Sequence, residues 1–160
     1  MILYTLGTAT EPFDRAVDWL ELLLMQGVIT EPVLFQHGVT DATRLEHPLV
    51  SKIFGLSMPQ MREAVQRSRL VIAHAGQGST RMLAEMSARF VVLPRLARYR
   101  EHIDDHQLHF AQAVARFGVH YSTELPDLTR YIQEPPPPFQ GQLFAAPALV
   151  DHLLARYALS

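Results

Sequence analysis

The sequence predicts an α/β domain in which a mainly parallel sheet is covered by helices on both faces. Two short runs, Leu70-Val71-Ile72-Ala73 and Phe90-Val91-Val92-Leu93, are apolar at every position, as expected of strands buried on both sides. Between such runs apolar residues recur at helical spacing, most clearly Phe13, Val17, Leu20 and Leu24. Strand-like and helix-like segments then alternate along most of the chain.

The elements follow in order. Met1 to Gly7 reads as the first strand. Gly7-Thr8 opens the turn into the Phe13 helix, which carries Pro12 in its first turn and ends at Gly27. Thr8 and Glu11 have the spacing of a capping box, the plain structural reading of that turn. Pro32 to Gly38 is a second strand, residues 39–48 a loop, and Leu49 to Phe54 a third strand. Met58, Met61 and Val65 mark a helix ending near Ser68. The two apolar runs are the fourth and fifth strands, with a helix from about Ser79 to Ser87 between them. Ile103, Phe110, Ala111, Val114 and Phe117 trace a helix that stops at Gly118. Val119 to Tyr121 is a short sixth strand and Leu125 to Ile132 a short helix.

This places one domain over residues 1–133. Four successive prolines, Pro135 to Pro138, then begin a spacer over residues 134–146, stiff and extended because proline joins neither helix nor ladder. Residues 147–160 read as an amphipathic helix with Leu149, Val150, Leu153, Leu154 and Tyr157 on one side. Held off the body by the spacer, that helix is placed to pack on something other than its own sheet.

Composition excludes several functions. The 160 residues carry a formal net charge of -2 and a single lysine, Lys52, which is no footprint for nucleic acid. There is no cysteine, hence no disulfide and no thiolate nucleophile. No segment approaches the roughly 18 apolar residues of a membrane span. The N-terminus has no basic flank or long apolar run, unlike a signal peptide. The hydrolase elbow G-x-S-x-G and the zinc-protease motif H-E-x-x-H are both missing.

Three stretches remain as candidate ligand sites, all where a strand releases the chain into a helix, the edge at which α/β sheets bind ligands. Gly7-Thr8 lets a ligand approach the backbone. Gly76-Gln77-Gly78-Ser79 offers amides, a hydroxyl and a helix N-terminus to a diphosphate, with Ser79 as a simple N-cap the alternative. It is neither a Walker A loop, since no lysine follows the second glycine, nor a complete G-x-G-x-x-G. His74 precedes it, either as a donor to a ligand or as a structural group. The third stretch holds Arg95, Arg98, Arg100, His102, Asp105, His106 and Gln107. Asp104 and Gln107 have the spacing of a capping box, but Gln107 also lies three residues before Phe110 on the inward stripe. An amide there can give and accept hydrogen bonds to sugar hydroxyls. Glu101-His102 with Asp105-His106 could supply metal ligands on one turn, and no metal site is assigned.

Together these residues resemble the C-terminal domain of family 28 glycosyltransferases, in particular the small donor-binding subunits of two-part UDP-sugar transferases of the bacterial exopolysaccharide glucuronosyltransferase type. Three blocks carry the resemblance: Thr5-Leu6-Gly7-Thr8 with Pro12-Phe13-Asp14-Arg15, Val71 to Ser79, and Glu101-His102-x-x-Asp105-His106-Gln107. It covers about residues 1–121. It implies a Rossmann-like parallel sheet forming the C-terminal half of a GT-B enzyme, without metal or other cofactor. The diphosphate of a UDP-sugar would lie on Gly7, Thr8, Gly76, Gly78 and Ser79, with His74 beside them. The uracil would sit by Phe54-Gly55-Leu56, His106 and Gln107 would reach the sugar, and His102 and Asp105 would belong to the same substrate-binding set. Many members carry a glutamate at the position of Met82 to hold the ribose, and Glu85, one turn on, is the candidate substitute.

The resemblance implies a heteromeric, inverting transferase in exopolysaccharide synthesis. The catalytic base and the polyprenyl-diphosphate-linked acceptor would belong to a membrane-anchored partner subunit, so this chain would be cytoplasmic, at the inner face of the membrane. UDP-glucuronate is the leading donor, because Arg95, Arg98 and Arg100 can pair with a carboxylate. Two rivals stand beside this reading. One is a non-catalytic assembly module that keeps the half-fold, and the other is a dinucleotide-dependent oxidoreductase, which the first loop's lack of G-x-G-x-x-G spacing disfavours.

Overall fold

The computed structural model describes residues 1–143. Six strands form one sheet: β1 (Ile2–Thr5), β2 (Val33–Gln36), β3 (Val50–Ile53), β4 (Leu70–His74), β5 (Phe90–Leu93) and β6 (His120–Tyr121). Their order is β3-β2-β1-β4-β5-β6 and every pairing is parallel. The helices are α1 (Asp14–Met25), α2 (Met58–Arg67), α3 (Gln77–Glu85), α4 (His106–Ala115) and α5 (Leu125–Gln133), with a short 3-10 turn at Ala97–Tyr99. This is the expected α/β architecture, a doubly wound Rossmann-like sheet.

Alternation along the strands divides the core. Ile2, Tyr4, Leu70 and Ile72 face α1 and α5, packing with Leu20, Leu23, Leu128 and Ile132. Leu3, Val71, Ala73 and Val92 face α2, α3 and α4, packing with Val65, Leu83, Phe110 and Val114. The chain winds outward from β1 through β2 to β3, then returns to β4 on the other side of β1. The order therefore reverses between β1 and β4, which opens a crevice beyond their C-terminal ends.

Several local expectations change. α1 starts at Asp14 with Phe13 as its N-cap, so Thr8 and Glu11 form no capping box; the Phe13 N–H is instead taken by the Thr40 hydroxyl at 3.1 Å. The helix ends as expected: Gly27, at φ +68°, donates to Leu24 while Val28 donates to Leu23, the paired bonds of a Schellman turn. The capping box that does form is at α2, between Ser57 and Gln60. α4 begins only at His106, leaving Ile103 ahead of it and 84% exposed. The Asp104–Gln107 box is replaced by other bonds, with Asp104 accepting the His106 N–H and Gln107 turning inward.

The proline segment is free of helix and strand but does not stand off the body. Phe139 is 6% exposed, donates its N–H to Ala88, and packs against the Phe90 ring at 6.1 Å between centroids. Leu143 is buried as well. Burying one such side chain is worth roughly 2 kcal/mol, enough to strap residues 134–143 across the α3 side. The end of the spacer and the helix expected over 147–160 lie outside the described residues.

Candidate functional site

The crevice is built from the strand ends. β1 leaves the sheet through Gly7, whose φ of +72° a residue with a side chain adopts only under strain. Gln36, at the end of β2 and 2% exposed, clamps this turn. Its Oε1 accepts the Gly7 N–H at 3.1 Å and the Thr5 hydroxyl at 2.5 Å. Its Nε2 donates to the carbonyls of Gly7 and Phe54, both at 2.9 Å. One side chain of β2 thus satisfies groups at the ends of both neighbouring strands, β1 and β3, a role the sequence signals only as a polar residue closing an apolar strand.

At the end of β4, the His74 imidazole stands between the two glycine turns. A Cβ on Gly7 or on Gly76 would lie 2.2 Å from the ring, so the absence of side chains there is what admits the histidine. Its Nδ1 is buried without a hydrogen-bond partner. Burial, and next the positive Arg95 guanidinium, push its pKa down to about 4 against an opposing contact with the Thr5 backbone. His74 is therefore neutral near pH 7.

α3 begins earlier than expected, at Gln77, with Gly76 as an extended N-cap. Ser79 is consequently inside the first turn and is not the cap. Thr80 makes the first helical bond, its N–H reaching the Gly76 carbonyl at 2.9 Å. The N–H groups of Gln77, Gly78 and Ser79 precede that bond and have no acceptor within the helix. They open on the crevice with the positive end of the helix dipole behind them.

Two cavities share this wall. The larger, about 720 Å³, runs from Thr8 and Gly76 to His102, His106 and Gln107. The smaller, about 520 Å³, runs from Gly7, His74 and Ser79 to Gly55, Leu56 and Met82. Thr8, Gly76 and Gly78 border both. The glycine turns therefore lie at the middle of an elongated crevice, with a polar, His-rich end and an apolar, Met-rich end.

The loop between β5 and α4 is held by buried charge. Arg95, 1% exposed, donates to the carbonyls of Glu11 and Leu6 at 2.7 and 3.2 Å and stacks on Phe13. Glu101, 3% exposed, accepts two bonds from Arg15 at 2.8 and 2.9 Å and one from the Leu96 N–H. Arg95 is expected from the sequence among ligand-facing residues and Glu101 among possible metal ligands, but burial commits both to the fold. Arg98 is exposed, near Glu124 and over the Tyr99 ring, and none of Arg95, Arg98 and Arg100 borders either cavity. The charge argument for a carboxylate-bearing sugar loses its residues.

Gln107 does face the larger cavity. Its Oε1 accepts the Arg95 N–H at 3.1 Å, which orients its Nε2 as the donor available to a ligand. His106 and His102 lie beside it with their rings edge to face at 4.2 Å. Asp105 is drawn the other way, accepting the Ala97 N–H at 2.8 Å. Asp104 takes its place next to the histidines, accepting from the His106 N–H at 3.0 Å with the His106 Nδ1 at 2.5 Å, contacts that hold its carboxyl below the usual range. His102, Asp104 and His106 present ligand atoms within 4.8 Å of one another. This is the one grouping among the described residues with the donors to hold a divalent cation, and it differs from the set that spacing suggests, since Glu101 and Asp105 are otherwise bonded.

Two expected residues stand outside the crevice. The Phe54 ring is two-thirds exposed beside His37, and its carbonyl is taken by Gln36 and Gly38; Gly55 and Leu56 line the smaller cavity instead. Glu85 pairs with Arg81 at 2.8 Å and borders a separate surface hollow with Ser87 and Gly141 to Leu143. Met82 occupies the crevice side of α3.

The sequence model of a family described as glycosyltransferase family 28 C-terminal domain matches residues 25–135. No curated protein sequence matches the chain. Among solved structures, the fold is similar to that of a glycotransferase of kitacinnamycin, with a TM-score of 0.62 at 15% identity over 98% of this chain. It is also similar to the glycosyltransferase SnogD from Streptomyces nogalater, with a TM-score of 0.53 at 14% identity over 83% of this chain. The matched regions are 38% and 34% of those two chains, so this chain spans little more than a third of their length.

Proposed function

Because the chain belongs to the glycosyltransferase family 28 C-terminal domain family, half of a GT-B architecture, we propose that it binds the nucleoside diphosphate sugar donor of a glycosyl transfer. The observation that carries this is the shared wall of the two cavities. The first-turn amides of α3 stand there beside Thr8, flanked on the smaller-cavity side by Gly7 and the neutral His74, at the point where the strand order reverses. A diphosphate on that wall puts its nucleoside into the smaller cavity and its sugar toward Gln107, His106 and His102 in the larger one.

The chemistry follows from what these groups supply. As the bond from anomeric carbon to phosphate oxygen breaks, negative charge grows on the departing diphosphate, and amides already pointing at it stabilise that charge without reorganising. His74 adds a polar group at the same place, and the charge of the diphosphate raises the imidazole pKa from its low resting value. The Gln107 Nε2 donates to a sugar hydroxyl and fixes the ring. The base that deprotonates the acceptor, and the acceptor itself, come from outside these residues.

The donor is a UDP-sugar on this reading, from the family resemblance. The acceptor is a polyprenyl-diphosphate-linked saccharide held by a membrane-anchored partner subunit at the inner face of the membrane. No helix among the described residues is long and apolar enough to cross a membrane, which fits attachment through a partner. The test is reconstitution with an acceptor-binding partner, UDP-sugars and a lipid-linked acceptor. Turnover that falls at least tenfold in Gln107→Ala, with UDP affinity kept, supports the assignment; turnover indifferent to Gln107 rejects the sugar subsite.

A further inference from the structure

The nucleoside end of the crevice has an unusual chemistry for a ribose site. Ribose is commonly held by a carboxylate that accepts from its hydroxyls, yet no Asp, Glu, Lys or Arg side chain lines the smaller cavity among the described residues. Its far wall is Leu56, Met58, Met61, Met82 and Leu83. Its polar side chains lie away from that wall. Both ends of the Gln36 amide are spent on Thr5, Gly7 and Phe54, while Thr8, shared with the larger cavity, stands with His74 and Ser79 at the diphosphate wall. The only carboxylate on α3, Glu85, borders a different hollow and is paired with Arg81. A ribose leaving the diphosphate along α3 meets the Met82 side chain.

Resting on the donor-site reading above, we infer that this subsite does not read the ribose 2′-hydroxyl and accepts 2′-deoxynucleoside diphosphate donors as readily as ribonucleotide ones. An apolar wall distinguishes poorly between ligands that differ by one hydroxyl. A wall built to bond that hydroxyl rejects the analogue lacking it, because its own polar group is left unpaired. Met82 is the position that decides which kind of wall this is, three residues and nearly one turn beyond Ser79.

The experiment is calorimetric titration of the protein with base-matched pairs, UDP with 2′-deoxy-UDP and GDP with 2′-deoxy-GDP, repeated on Met82→Glu and Met82→Gln. The wild type is expected to bind the members of its preferred pair within about threefold of each other. Met82→Glu is expected to favour the ribonucleotide by about tenfold or more, the worth of a hydrogen bond to a charged acceptor. A wild-type preference of tenfold or more for the ribonucleotide overturns the inference and leaves the donor site standing. Binding of none of the four removes the donor-site reading and this inference with it. The wild-type comparison decides even where a variant fails to fold, and Met82→Gln supplies an uncharged acceptor of similar length.

Discussion

Gln36 holds Gly7 from both sides, accepting its N–H at 3.1 Å and donating to its carbonyl at 2.9 Å. The peptide units that form the first turn of the crevice are thus positioned by a side chain from the neighbouring strand. Replacing it with methionine keeps the volume and leaves the Gly7 N–H and the Gly7 and Phe54 carbonyls without this partner. Unpaired groups of this kind cost about 1 to 3 kcal/mol each when water cannot reach them. Gln36→Met is expected to lose about 3 kcal/mol in urea denaturation, the low end of the sum for three such groups, and to weaken UDP binding at least tenfold by calorimetry.

Gly76 and His74 occupy one space. At Gly76 the backbone is ordinary, with φ of −82°, so only the clash of a Cβ with the ring at 2.2 Å opposes alanine. Gly76→Ala should cost about 1 to 3 kcal/mol by overpacking. Adding His74→Ala removes the obstructing ring, so the double variant is expected to be more stable than the sum of the single losses. Strict additivity in thermal unfolding would show that the two do not compete for this volume.

The depressed pKa of His74 makes stability depend on pH. With a folded value of about 4 and an ordinary value of 6.5 when unfolded, the unfolded chain takes up the proton first as pH falls. Its contribution is complete above pH 6.5 and is lost progressively between about 6.5 and 4, a change on the order of 3 kcal/mol. Subtracting the pH profile of His74→Gln from that of the wild type should isolate this slope. Bound UDP should also raise the His74 pKa, visible as a shifted imidazole titration in NMR.

Much of the fold was legible because it depends on local pattern. Fully apolar runs found β4 and β5, and spacings of three and four residues found α1. The crevice followed from the position of Gly7 and of Gly76 to Ser79 after strands. What stayed hidden depends on distant pairing. Arg15 and Glu101 are 86 positions apart in the chain, and nothing local distinguishes that buried pair from two solvated charges. Arg95 looked like a ligand group for the same reason, although its guanidinium is enclosed by Phe13 and backbone carbonyls. The α4 start was misplaced because Ile103 fits the helical period, whereas the left-handed Arg100 and the Asp105 bond to Ala97 keep residues 100–105 out of the helix. The proline run has the composition of a stand-off arm, which does not reveal that Phe139 has a place in the core.

The measurement that bears most directly on the donor site is an amide NMR titration with UDP. The predicted result is saturable shifts at Gly7, Gln77, Gly78 and Ser79, together with slowed exchange of the Gln77, Gly78 and Ser79 amides, whereas the Gly7 N–H is already held by Gln36 and Glu31 and Arg69 at the opposite edge of the sheet stay unchanged. Shifts confined to other surfaces, or none at millimolar UDP, would contradict the assignment of the glycine turns to a diphosphate.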